Sequence, residues 1–223
     1  MARFNLNKGE RFKLDKSAGL NNITVELGWV VPKGKRADLD ASAFLLGEDG
    51  VILDDADYVF YNSDNRSEQY DRQKFGNKKN WRNLTVPVSK DGSVVGSIDD
   101  LGEGEDEDDE NIDMETESSE EMHVDLSKVD SKITEIVFCV TVYYDSKIKN
   151  MVKYFGEVKD PYISIINDED GEELCRYNLR EKFKSEDAVV AGSLLCNEDG
   201  EWSFEAQGKG YDGGMQTLID IYA

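Results

Sequence analysis

The chain has a single histidine, His123, and its three cysteines include no pair at CxxC spacing. Zinc sites in proteins are built chiefly from these two residue types, so the sequence argues against a zinc site. It also contains no G-x-S-x-G elbow, no Walker-type glycine-rich loop and no H-E-x-x-H pair, which are signatures of several large enzyme classes. His123 itself lies in the alternating segment MHVDL beside an acidic run, a poor setting for a catalytic base. We therefore expect a protein that is not an enzyme.

Long apolar runs are missing as well. The N-terminal residues MARFNLNKGERFKLD contain no apolar segment of signal-peptide length, and IVFCVTVYY is far shorter than the roughly 20 residues of a membrane helix. We expect no transmembrane segment and a cytoplasmic protein. Cys139, Cys175 and Cys196 each lie in an apolar, strand-like context, which favours buried, reduced thiols.

Basic residues are heavily outnumbered, because 26 Lys and Arg stand against 48 Asp and Glu, for a formal net charge of −22. Binding to nucleic acid depends on clusters of Lys and Arg that neutralise phosphates, so direct nucleic-acid binding is not expected. The acidic residues are also unevenly distributed. From Asp99 to Asp125 there are fifteen acidic residues and no Lys or Arg, so the rest of the chain carries only −7.

The acidic run has more than one interpretation. Residues 100–121 read DLGEGEDEDDENIDMETESSEE, and like charges at this density repel each other and bury little apolar surface, which is typical of a solvated loop. Carboxylates also concentrate hard cations, and Ca²⁺ takes about six to eight oxygen ligands at about 2.3–2.6 Å. Alternatively, residues 101–121 bind a basic partner, and the protein is an acidic scaffold or a nucleic-acid mimic.

Outside this run the sequence predicts a mainly β protein. Alternating or β-branched segments recur at 22–31, 42–47, 57–62, 132–144, 162–167, 172–179, 188–196 and 201–208. Asp-Gly pairs, which favour the tight turns of β-hairpins, occur at Gly50, Gly92, Gly171 and Gly200. A chain of 223 residues with 39% hydrophobic content is long enough for one domain with a substantial core. We predict a single antiparallel β-sandwich over residues 1–223.

Two further segments carry expectations. The C-terminal sequence GGMQTLIDIYA predicts a short helix, and its apolar face consists of Met215, Leu218, Ile219 and Tyr222. Residues 63–88 are polar and rich in Asn and Arg, with interleaved aromatic residues. This pattern favours a long surface loop, although Arg beside aromatic side chains also stacks on bases or sugars.

Asp38 and Asp40, in ADLDASAFLL, form a distinctive acidic pair. In a strand, residues i and i+2 project to the same face, so Leu39 and Ala41 point to the opposite face. Two carboxylates on one face repel each other unless a positive charge compensates them. The compensating charge is either a metal ion or the basic side chains of residues 33–36, and both alternatives remain open.

A series of segments along most of the chain adds a resemblance. In order they are LNKGERFKLDK, VELGW, DLDASAFLL, DYVFYN, DGSV, DDLGEGEDEDDE, VDLSKV, ITEIVFCVTVY, YFGEVKDPYISIIN, ELCRYNL, AVVAGSLL and EWSFEAQGKGYDGG. Together they resemble the TerD-type tellurium-resistance family of Ca²⁺-binding β-sandwich stress proteins. The resemblance implies a non-catalytic, calcium-binding protein of stress response or tellurite resistance. It also implies protein partners in a stress-response or membrane-associated complex, and it marks insertions at about 63–88 and 102–121.

The resemblance further implies which residues bind the metal. In the family, the ligands come from acidic loops near one end of the sandwich. Asp38 and Asp40 match the D-L-D start of a strand. Asp99 and Asp100 match a second acidic segment, although Ile98 stands where the family has glycine.

A third ligand segment has two possible registers. Residues 108–110 match it by their letters, whereas the spacing back from the V-D-L strand at 124–126 selects residues 118–120. A ligand must be held firmly by a strand end, which favours Glu120, and Glu103 is a further candidate. The expected calcium ligands are therefore Asp38, Asp40, Asp99, Asp100, Glu103 and Glu120.

Overall fold

The described residues of the chain form two six-stranded sheets. The structure, a computed structural model, describes residues 3–15, 20–67, 85–97 and 114–223. The strands in these residues are β1 (Phe4–Leu6), β2 (Arg11–Leu14), β3 (Asn22–Val31), β4 (Asp38–Leu46), β5 (Tyr58–Val59), β6 (Val94–Val95), β7 (Thr116–Asp125), β8 (Glu135–Tyr143), β9 (Lys159–Asn167), β10 (Glu173–Asn178), β11 (Ala188–Cys196) and β12 (Trp202–Tyr211). An α-helix, α1 (Gly214–Tyr222), and two single-turn 3-10 helices, Asp55–Asp57 and Phe155–Glu157, complete the described elements.

The strand order confirms the predicted sandwich. The first sheet has the order β1-β10-β9-β3-β7-β6, and the second has the order β2-β12-β11-β8-β4-β5. All neighbouring strands are antiparallel except β1 and β10, which are parallel. Two of the predicted Asp-Gly turns connect neighbouring strands of a hairpin, and the glycine of each has a positive φ. Gly171 (φ +71°) lies between β9 and β10, and Gly200 (φ +76°) lies between β11 and β12.

The core lies between the two sheets and follows from the alternation of the strands. Ile23, Val25 and Leu27 of β3 face it from the first sheet, while Phe138 of β8 and Phe204 of β12 face it from the second. Each of these side chains is at most 1% exposed. Burying one such side chain contributes about 1.5–3 kcal/mol to folding, so this layer dominates the stability of the fold.

The terminal helix forms as predicted, and it covers the outer face of the second sheet. Leu218 is fully buried against Phe44 and Val137, with its neighbours on the helix face packed around it. The backbone of Ile52 donates to the carbonyl of Tyr222 at 2.8 Å, which ties the helix end to the loop after β4.

A carboxylate holds the start of this helix. Asp187 Oδ1 accepts hydrogen bonds from the amides of Gly213 (2.9 Å) and Gly214 (2.7 Å). Asp187→Ala should lower the free energy of unfolding by about 1 kcal/mol, because it leaves the first amides of the helix without their acceptor. Urea unfolding of this variant measures the loss. Asp212→Ala, which removes an exposed carboxylate from the same connection, should change the stability by no more than about 0.5 kcal/mol.

The start of β7 lies in a segment that the sequence predicts as a solvated loop. Strand β7 begins at Thr116, inside the acidic run, because it pairs with β3 along its full length from Val31↔Thr116 to Asn22↔Asp125. Glu117 and Glu121 are exposed on this strand, so backbone pairing accommodates their charges. Of the two predicted insertions, residues 68–84 and 102–113 lie outside the described residues.

The cysteines form no disulfide. Cys139 and Cys175 are buried, as expected, and burial raises the pKa of both thiols, that of Cys175 to about 12. Cys196 departs from the expectation of a buried thiol, because it is partly exposed at the end of β11.

Candidate metal centre

The two aspartates of the D-L-D segment open strand β4. Leu39 and Ala41 are buried in the core between the sheets, so the side chains of Asp38 and Asp40 lie on the outer face of the second sheet, as the alternation predicts. Asp40 is only 9% exposed, and Asp38 is half-buried. The start of this strand therefore holds a carboxylate almost out of contact with water.

Polar neighbours surround Asp40. Thr141 lies opposite it on β8 and is 4% exposed, and the fully buried Ser42 follows it on the same face. Burial is the main cause that raises the pKa of the Tyr58 phenol, and the negative charge of Asp40 acts in the same direction. Tyr58 is therefore close enough to interact electrostatically with Asp40. Two hydroxyl side chains and the thiol of Cys139 thus share this face with the carboxylate.

The basic residues before β4 were the alternative partners of these aspartates. Lys35 Nζ instead lies 3.0 Å from Glu157 Oε2. The backbone of Arg36 pairs with the loop after β8, since its amide donates to the carbonyl of Asn150 at 3.1 Å and its carbonyl accepts from Val152 at 2.7 Å. The ion pair of Lys35 draws one of the three candidate cations toward a different carboxylate.

Glu120 reaches the same strand from the first sheet. It stands opposite Leu27 in the β3–β7 pairing, so its side chain projects to the inner side of that sheet. Its Oε2 accepts the amide of Ala41 at 2.6 Å. That amide belongs to the peptide bond between Asp40 and Ala41, so the structure brings Glu120 to the backbone of Asp40, although the two side chains approach β4 from different sides.

The remaining expected ligands, Asp99, Asp100 and Glu103, lie outside the described residues. Strand β6 pairs with β7 at Val95↔His123. Ser97, the last described residue before the gap, therefore lies close to the part of β7 that carries Glu120. Within the described ranges, no three His, Cys, Asp or Glu side chains are arranged to hold a metal ion.

The donor chemistry of this edge fits a hard cation. Asp38, Asp40 and Glu120 offer only oxygen atoms, although the buried thiol of Cys139 lies opposite Ser42 on β8. Ca²⁺ is bound by about six to eight oxygen ligands, among them carboxylate and carbonyl oxygens. The residues present would therefore suit calcium, provided that further oxygens come from elsewhere in the chain.

A second carboxylate group, around Asp57, was not predicted. Asp57 ends the 3-10 helix Asp55–Asp57 and is 4% exposed. Lys90 Nζ bonds Asp54 Oδ2 at 2.6 Å, and Asp91 Oδ2 accepts the amide of Asp130 at 2.8 Å. Burial is the largest cause that raises the pKa of Asp57, to about 6, and the charges of Asp91 and Asp54 add to it while Lys90 opposes it.

The single histidine takes part in a different contact. Thr24 Oγ1 donates to Asp168 Oδ1 at 2.6 Å and lies 2.8 Å from His123 Nδ1. A hydroxyl has one hydrogen, so His123 must be the donor in the second contact. An activated nucleophile needs the opposite direction, with the hydroxyl donating to the base.

The comparisons with known proteins agree with the sequence resemblance. A family model described as the TerD domain matches residues 1–222. The chain belongs to the TerD family. It is 34% identical over 221 residues to the tellurium resistance protein TerD of Serratia marcescens, a match that covers 97% of this chain and 95% of that protein. It is 35% identical over 221 residues to general stress protein 16U of Bacillus subtilis (strain 168), with the same coverage of both chains.

The fold is also shared with a solved TerD-family structure. A homologue of the telluride resistance protein TerD from Streptomyces coelicolor A3(2) matches 90% of this chain and 96% of its own, with a TM-score of 0.57 and 18% identity. At this identity the likeness concerns the fold. In the part of the chain that the structure describes, no helix has the length and apolar character needed to cross a membrane.

Proposed function

We propose that this TerD-family chain is a calcium-binding, non-catalytic protein of tellurite resistance or general stress response. Its acidic loops would bind the ion where the start of β4 meets Glu120 of β7. The names of its relatives, a tellurium resistance protein and a general stress protein, support the biological setting. Ordered loops would then offer a surface to protein partners of a stress-response complex.

The observation that carries the proposal is the contact of Glu120 with the backbone of β4. It brings a carboxylate of the first sheet to the strand that bears Asp38 and Asp40 on the second sheet. Carboxylates of like charge repel each other, by about 1 kcal/mol at 4 Å even in water and by more where water is excluded. A divalent cation would turn this repulsion into attraction.

Asp38, Asp40 and Glu120 would hold the ion together with Asp99, Asp100 and Glu103. The ion would supply charge neutralisation and a cross-link between the two sheets. A bound ion stabilises only the folded state, so the calcium concentration would set how tightly this edge is closed. The direction of the hydrogen bond between Thr24 and Asp168 supports the non-catalytic part of the proposal, because it occupies the hydroxyl nearest to the single histidine.

Calorimetric titration of the metal-stripped protein with Ca²⁺ should give a saturable heat. At a hundredfold excess over Kd, binding should add about 2.7 kcal/mol to the free energy of unfolding, which thermal melts with Ca²⁺ and with chelator would show. Mg²⁺ at equal concentration controls for simple charge screening.

A pair of matched variants locates the site. Asp38→Asn/Asp40→Asn should abolish the heat, whereas Glu198→Gln/Asp199→Asn, which removes two exposed carboxylates from the turn between β11 and β12, should preserve it. Deletion of residues 105–113, which leaves β7 intact, should also preserve it. No saturable heat with the unsubstituted protein would contradict the proposal, and loss of the heat only in the deletion would move the binding site into the acidic run.

A further inference from the structure

A locally basic surface lies at one end of this acidic protein. It consists of two neighbouring turns, residues 32–37 and 144–153, which we call the basic tip. The two turns contain six basic residues and one acidic residue, whereas in the whole chain 48 acidic residues outnumber 26 basic ones. The basic residues are Lys33, Lys35, Arg36, Lys147, Lys149 and Lys153.

The basic tip is held in one shape. The two turns are joined by backbone hydrogen bonds on both sides of Arg36 and by the buried side chain of Met151 at their base. Asp145 Oδ1 accepts the amide of Lys147 at 2.9 Å, and the carbonyl of Asp145 accepts the amide of Ile148 at 3.0 Å. A surface fixed in advance loses little conformational entropy when it binds a partner.

Large apolar side chains stand among these charges. Tyr143, Tyr144 and Ile148 are 50%, 44% and 38% exposed, and they are three of the seven large apolar side chains exposed in the described part of the chain. Lys153 Nζ lies 5.7 Å from the centre of the Tyr144 ring. Tyrosine and aliphatic side chains interleaved with lysine are typical of surfaces that lie at a membrane–water interface.

We propose that the basic tip binds an anionic lipid surface. Lys147, Lys149 and Lys153 would face the headgroups, while Tyr144 and Ile148 would enter the boundary between headgroups and acyl chains. Acidic peptide motifs are recognised by clusters of arginine, whereas only one of the six basic residues of the tip is arginine. The side chains of the tip stand on turns beyond Asp38↔Tyr143, the last register pair of β4 and β8, so they project past the end of the sheet.

The net charge of −22 does not prevent this binding. Exposed charges are screened over about 8 Å at physiological ionic strength, so only groups near the lipid contribute. The two turns of the tip contain only Asp145. Two acids beside the first turn, Glu115 and Glu157, are ion-paired with Lys159 and Lys35. The proposal needs no bound metal, so it stands or falls separately from the calcium site.

Vesicle flotation with the full chain tests the proposal. The probe is vesicles of phosphatidylcholine with about 30% phosphatidylglycerol, compared with pure phosphatidylcholine, all in EGTA so that calcium is absent. The unsubstituted chain should float with the anionic vesicles and not with the neutral ones. Each lysine close to an anionic surface contributes about fivefold, so Lys147→Ala/Lys149→Ala should weaken binding roughly 25-fold.

A matched pair separates local from overall charge. Lys128→Ala/Lys132→Ala removes the same charge from the loop between β7 and β8, at the opposite end of β8, and should change binding by less than about twofold. Tyr144→Ser/Ile148→Ser should weaken binding without any change of charge. All four positions of the tip are exposed, and thermal melts would check that the variants fold. Equal binding by the two lysine variants, no binding by the unsubstituted chain, or capture of poly-glutamate in place of vesicles would each overturn the proposal.

Discussion

Replacing Asp57 by asparagine is expected to stabilise the protein above about pH 6, by up to roughly 3 kcal/mol, and to leave its stability unchanged below about pH 4. The folded state raises the pKa of this carboxyl from 3.8 to about 6, chiefly by burial. The protonated form is therefore favoured in the fold. Its contribution to stability is fully present below pH 3.8 and is lost as the pH rises through 6. The gap between these values corresponds to roughly 3 kcal/mol, which an uncharged amide of the same shape would recover.

Urea unfolding of both proteins between pH 4 and pH 8 measures this difference. The gap in the free energy of unfolding should open as the pH rises and reach a plateau above about pH 7. Asp55→Asn is the control, because Asp55 belongs to the same 3-10 helix and is exposed. A constant gap between Asp57→Asn and the unsubstituted protein over the whole range would show that burial does not perturb this carboxyl.

The position of Asp57 gives this titration a structural consequence. The carboxylate of Asp91 holds the turn before β6 through the amides of Ser93 and Asp130. Strand β6 then leads to Ser97, after which the acidic run begins. Ionisation of Asp57 adds a like charge beside Asp91, so a rise in pH is expected to loosen the turn at the entrance to that run.

The alternation of apolar residues in the sequence predicts most of the fold. Strands β3 and β11 have the bounds that their sequence patterns predict, and the face of α1 that contacts the sheet is the one its spacing predicts. These elements are long or strongly periodic, so local pattern and tertiary packing agree. Strand β7 is different, because its charge density predicts a solvated loop. Pairing with β3 outweighs that tendency from Thr116 onward.

The candidate sites were less predictable, because they depend on contacts between residues far apart in the chain. The spacing of Asp38 and Asp40 indicates a shared face, but nothing near Glu120 in the sequence indicates that it bonds the amide of Ala41. Asp57 likewise appears as one acid among several in DDADY, and only the packed loops reveal its burial. The two basic segments of the tip, KGKR and KIKNMVK, can be read from the sequence. That they lie side by side cannot, because it depends on the backbone hydrogen bonds of Arg36.

Two substitutions of Glu120 distinguish a structural role of this residue from a metal-binding role. Glu120→Ala should lower the free energy of unfolding by roughly 2 kcal/mol in chelator, because the buried amide of Ala41 loses its charged acceptor. Glu120→Gln keeps an oxygen for that amide, so its loss in chelator should stay below about 1 kcal/mol. Its neutral amide is a much poorer calcium ligand, and the affinity for Ca²⁺ should fall at least about tenfold.

Urea unfolding in EGTA measures the first effect, and calorimetric titration with Ca²⁺ measures the second. Glu121→Gln is the matched control, because Glu121 is adjacent on β7, is exposed, and faces the opposite side of the sheet beside Glu26. It should alter neither quantity appreciably. If Glu120→Gln and Glu121→Gln bind Ca²⁺ equally well, Glu120 serves only to join the two sheets. The third ligand segment would then be the alternative register at residues 108–110.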